Sequence, residues 1–76
     1  MNKKRRECIR YAAKLLQEAG GIVDKCRDEE SESMYNLEGT PLENTDRYSQ
    51  IEESCDYLDG AYEDIESARE KLFNAL

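Results

Sequence analysis

From Tyr48 to Leu76, residues at alternating steps of three and four keep one character. Tyr48, Ile51, Cys55, Leu58, Tyr62, Ile65, Leu72 and Leu76 are apolar, and Arg69 alone interrupts the series. An α-helix completes a turn every 3.6 residues, so side chains spaced this way form one narrow stripe, the seam along which another helix packs. A strand would instead need alternation with period two. The pattern therefore predicts a long helix over residues 45–75. A second row, Ser54, Ala61, Ala68 and Ala75, repeats every seven residues beside the seam. Its small side chains would let a neighbour approach closely.

The first half carries a related pattern. Ile9, Ala12, Leu16, Ala19, Val23 and Cys26 also step by three and four, with Leu15 and Ile22 widening the stripe on one side and Ala13 on the other. This predicts a helix over about 3–37. Gly20-Gly21 weakens it, since each glycine costs about 0.8–1 kcal/mol against alanine in a helix interior. The seam keeps its phase across the pair, which favours one continuous helix. Gly39 suits a position just past a helix end, and Pro41 cannot extend the helix before it. A loop is thus expected at about 38–44. Thr45 can cap the second helix, with Asp46 at the positive end of its dipole. Thr40 as cap with Pro41 at the first helical position is a competing start.

Two amphipathic helices joined by a short loop pack as antiparallel neighbours. The expected fold is all-α: one domain over residues 1–76, an antiparallel helical hairpin that dimerises into a four-helix bundle. With the turn centred near 40–41, partners across the hairpin have numbers that add to about 81. Ile9 would meet Leu72, Leu16 Ile65, and Val23 Leu58. Ala19 and Gly20 would lie opposite Tyr62 and make room for its ring. Cys26 would face Cys55 as a possible thiol pair. The seam is assigned to Ile9, Leu16, Val23, Ile51, Leu58, Tyr62, Ile65 and Leu72. Leu15, Ile22, Ala61 and Ala68 are candidates for an oligomer face, because one seam would leave them in water.

Catalysis is not expected. A chain of 76 residues encloses little volume, and this one has no histidine to act as an acid–base group or to complete a di-iron site. Gly20-Gly21 and Gly39 lack the spacing of phosphate loops, and no EF-hand spacing is present. The i, i+4 pairs Glu52/Asp56 and Asp59/Glu63 read as a solvated face. Cys8, Cys26 and Cys55 form neither a disulfide framework nor a C-x-x-C pair. No cofactor or metal is expected. The basic start is not followed by the apolar run of a signal peptide, and no stretch approaches a membrane span. A cytoplasmic protein with no membrane partner is the expectation.

The net charge of −7 hides an asymmetry. Residues 1–10 hold Lys3, Lys4, Arg5, Arg6 and Arg10 against Glu7, whereas residues 28–66 hold fourteen acids against Arg47. Lys3, Lys4, Arg5 and Arg6 are a possible anion contact. The acidic body would repel phosphates, so nucleic acid is disfavoured as a partner. The function expected is a non-catalytic protein–protein interaction module that self-associates through its seams as a homodimer. The alternative is a small acidic inhibitor that mimics nucleic acid and occupies a basic groove on an enzyme that binds it.

The run Thr45-Asp46-Arg47-Tyr48, followed by Glu52-Glu53, Leu58, Ala61 and Ile65, resembles small acidic helical-hairpin proteins common in gram-positive bacteria, their phages and integrated elements. The likeness spans residues 34–70. The loop departs from the form of that group, in which proline stands nearer the end of the first helix. The resemblance implies a helical hairpin and a phage or mobile-element context. It implies no catalytic residue.

Overall fold

The computed structural model describes residues 1–41 and 45–76. Within them lie two α-helices and no strand: α1 over Lys3–Leu37 and α2 over Asp46–Asn74. They pack lengthwise as a hairpin, 60 Å long and 14 by 13 Å across. Gly20 and Gly21 lie inside an unbroken α1. Residues 42–44 of the expected loop lie outside the described residues.

The helix ends are built from local hydrogen bonds. Asn2 caps α1 by accepting from the Arg5 amide at 2.8 Å. The last turn of α1 is closed by Glu38, whose amide donates to the Tyr35 carbonyl at 3.1 Å, and by Thr40, whose hydroxyl donates to the Leu37 carbonyl at 2.6 Å. Gly39 then turns the chain with φ at +76°, a conformation glycine adopts without steric cost. α2 begins at Asp46, and what would follow a Thr40–Pro41 start lies outside the described residues. Thr45 occupies the N-cap position of α2, but its hydroxyl makes no capping bond to the first turn.

Contacts between the helices set a register different from the one the turn signals predict. Tyr48 donates to Glu38 at 3.2 Å, Ser31 Oγ lies 4.0 Å from Cys55 Sγ, and Arg27 Nε lies 3.5 Å from Asp59. In all three pairs the residue numbers add to 86, not 81. The pairing is centred nearer residue 43, because α2 begins at Asp46 and not beside Pro41. The predicted partners Ile9–Leu72, Leu16–Ile65 and Val23–Leu58 are thus displaced along the seam. So is Cys26–Cys55: Cys55 is buried against Ser31, and Cys26 is exposed.

The inward column of α1 also differs. Ala13 and Gly20 are its buried residues, and the same seven-residue row continues through half-buried Arg27 and Met34. Ala12 and Ala19, read as seam residues, sit beside this row. Size explains the choice. At Gly20 α1 has least side chain, and a Cβ built there would lie 3.4 Å from Ile65 Cγ2 and 4.0 Å from the Tyr62 ring. Tyr62 does face Gly20, as the sequence suggests.

Candidate functional site

Two helices give this hairpin a seam but no interior. Among the described residues, the buried apolar side chains are Ala13, 2% exposed, and Cys55, 7% exposed. Ile9, Leu16, Val23, Ile51, Leu58, Tyr62, Ile65 and Leu72 are each only half-buried. A stable α-helical domain normally covers such side chains with a second layer.

The uncovered apolar surface is organised. Leu15 is 46% exposed and Ile22 66%. Between them and the hairpin seam lie half-buried Ala12 and Ala19, and exposed Cys8 and Cys26 fall on the same stripe. Cys8, Ala12, Leu15, Ala19, Ile22 and Cys26 step by four and three. They form a second helix-packing seam on α1, beside the face that packs on α2. The spacing was present in the sequence, but the eye assigns Ala12, Ala19 and Cys26 to the first seam and leaves Leu15 and Ile22 as margins. On α2, Ala61 is exposed and Ala68 half-buried. Each of these rows begins three residues past its own seam, Ala19 after Leu16 and Ala61 after Leu58. In an antiparallel pair, rows offset in the same rotational sense lie on one side of the hairpin.

A polar cluster pins the middle of the rod. The Arg27 guanidinium lies 4.3 Å above the Tyr62 ring. Its Nη2 donates to Asp24 at 2.6 Å, and Nε approaches Asp59. The Asp24 hydrogen bond holds the Arg27 pKa above its ordinary value against desolvation, and the charges of Asp24 and Asp59 act in the same direction. Asp59, read from sequence as solvation alone, faces this cation. Near the termini, Arg69 Nη1 donates to both Glu66 oxygens at 3.1 Å, and its Nε is buried without a partner.

Lys3, Lys4, Arg5 and Arg6 are all exposed at the start of α1, in a first turn that holds no acid. At the other end, a shallow polar depression of about 320 Å³ is lined by Glu30, Ser33, Arg47, Gln50, Ile51 and Ser54. Among the described residues, no group of three acidic, cysteine or histidine side chains is placed to hold a metal ion. No described helix is long and apolar enough to cross a membrane.

No protein-family model matches the chain, and neither a curated protein nor a solved structure is similar enough to count as a match.

Proposed function

We propose that this chain is a non-catalytic protein–protein interaction module whose first partner is a second copy of itself. The carrying observation is the second α1 seam, an apolar stripe from Cys8 to Cys26 left largely uncovered by a hairpin with few buried side chains among its described residues. Two hairpins joined on that side lay further helices beside the half-buried seam residues, in the manner of a four-helix bundle. The cytoplasm suits the chain, because exposed Cys8 and Cys26 stay reduced there.

Gel filtration with light scattering tests this reading. A mass twice the 8.8 kDa of the chain, unchanged by reductant, is expected. Ile22→Glu should give a monomer with its helix content largely kept, since Ile22 is exposed within the hairpin. A wild-type monomer at micromolar concentration would overturn self-association.

A second reading is favoured by the exposed acids near the loop. Asp28, Glu29, Glu32, Glu52, Glu53 and Asp56 are all exposed, and the sequence from 28 to 66 holds a single cation, Arg47. Such a surface suits a nucleic-acid mimic that fills a basic groove. This reading predicts binding to a nucleic-acid enzyme that collapses at moderate salt, and salt-independent binding would count against it.

A further inference from the structure

The second seam of α1 has an internal order that its exposure alone does not require. Read outward from Gln17, it pairs with itself in reverse. Leu15 corresponds to Ala19, Ile22 to Ala12, and Cys8 to Cys26, and in each pair the numbers add to 34. The next pair outward is Arg5 and Glu29, on the same two rows and with the same sum. In antiparallel helices, each layer joins a residue from one row of the seam to a residue from the other row of the partner. Laid against its own copy, this stripe puts a large side chain opposite alanine in the inner layers, as an interdigitated core requires. It then closes with cysteine opposite cysteine and arginine opposite glutamate.

Charge selects the same orientation. In this register, residues 2–10 run alongside residues 24–32 of the other copy. The first segment holds Lys3, Lys4, Arg5, Arg6 and Arg10, with Glu7 the single acid. The second holds five acids against Lys25 and Arg27. A parallel arrangement would instead set the basic ends together and the acidic loops together, which costs free energy at low salt. The antiparallel one leaves the two acidic loops at opposite ends of the dimer. A standard interface takes roughly 800 Å² from each partner, about a seventh of the 5857 Å² that one chain exposes. α1 overlaps its copy from Lys3 to Ser31 in this register, about 42 Å of helix at 1.5 Å per residue. By the hairpin register, Ala68 of α2 lies level with Glu18, close to the same axis.

We infer that the chain dimerises through α1 against α1 of a second copy, antiparallel, with the two-fold axis passing near Gln17 and Cys8 of each copy facing Cys26 of the other. The inference rests on self-association being what the exposed stripe is for, and it adds the face, the direction and the register.

Thiol cross-linking reads all three. Within one α1 the two thiols lie 18 residues apart, about 27 Å along the axis, so a short link between Cys8 and Cys26 has to join two copies. The native chain, treated with a short bis-maleimide and digested, should yield Cys8–Cys26 as the dominant linked peptide. A mixture of Cys8→Ala and Cys26→Ala chains should form one linked heterodimer, while either variant alone links through these positions only weakly. A dimer that links Cys8 to Cys8 and Cys26 to Cys26 would be parallel and would overturn the inference while leaving self-association standing. A dimer with no link at either thiol would place the interface elsewhere and overturn it as well. A monomer would overturn both.

Discussion

Arg27 lies over the face of Tyr62, with 4.3 Å from the guanidinium carbon to the ring centroid, and so joins the middle of α1 to the middle of α2. The ring faces the Gly20 gap, and the cation sits between Asp24 and Asp59. A planar guanidinium can stack on the ring while its edge serves the carboxylates, which an ammonium cannot do as well. Arg27→Lys and Arg27→Met should both lower the urea midpoint, Met more than Lys. Arg10→Met, on an exposed position, should change it little. In a double-mutant cycle with Tyr62→Leu, the two losses should be less than additive. Full additivity would show that the stacking contributes nothing.

The two adjacent glycines of α1 should behave differently. Around Gly21, a Cβ would meet nothing within 4 Å. Gly21→Ala should therefore recover most of the helix-propensity difference, about 0.8–1 kcal/mol. At Gly20, the new methyl would sit 3.4 Å from Ile65 and 3.6 Å from Glu66. Gly20→Ala should gain less than Gly21→Ala, and Gly20→Leu should destabilise, because the larger side chain would push against Ile65 and Tyr62. Denaturant unfolding of the three variants at equal protein concentration checks the order.

Thiol chemistry should distinguish the three cysteines. Cys8 and Cys26 are exposed, whereas Cys55 is buried against Ser31. Under conditions that keep the chain monomeric, two thiols should react rapidly with a chromogenic disulfide reagent and the third only as the hairpin opens. Three equally fast thiols would show that Cys55 is not in the seam.

The helices and their hairpin arrangement are legible in the sequence because seam spacing is a property of one helix at a time. α2 shows it best, since its inward residues are nearly all apolar. α1 hides its inward row, because Ala13, Gly20, Arg27 and Met34 include a glycine and an arginine that hydropathy counts as outward-facing. The stripe through Ala12, Ala19 and Cys26 looks like the better seam, but it lies beside the face that packs on α2. Register is harder still. It depends on where α2 starts, and Thr40-Pro41 and Thr45-Asp46 both read as helix starts. Only contacts between residues distant in sequence, such as Arg27 with Asp59, select one. Leu15 and Ile22 could be picked out as uncovered, but their membership in a second seam needed the first seam to be placed correctly.

A short side chain also governs the turn. Gly39 carries φ of +76°, where a Cβ is strained although nothing crowds it within 4 Å. Gly39→Ala should cost about 1–2 kcal/mol through backbone strain alone. Gly39→Asn should cost less, because asparagine tolerates this conformation better. Equal losses for the two would point to a lost contact and not to the backbone.

Reversing the charge of Arg5 sets two effects of opposite sign against each other. Within one hairpin, α1 begins with cations where its dipole favours anions, and its first turn holds no acid. Arg5→Glu should therefore stabilise the isolated hairpin by about 0.3–1 kcal/mol. The Asn2 cap is untouched, since it uses the Arg5 backbone amide. In the proposed antiparallel dimer, however, the new carboxylate would face Glu29 of the other copy, and the two-fold axis would make the clash occur twice. Exposed charge pairs contribute about 0.2–1 kcal/mol each, so the dimer dissociation constant should rise about tenfold at low salt while the monomer grows more stable. Glu29→Arg alone should weaken the dimer similarly, and the double variant should restore it, because each swapped pair again joins opposite charges. Sedimentation equilibrium across a salt series measures these constants. If Arg5→Glu leaves the dissociation constant where it was, Arg5 does not face Glu29, and the register centred on Gln17 is wrong even if the chains still associate.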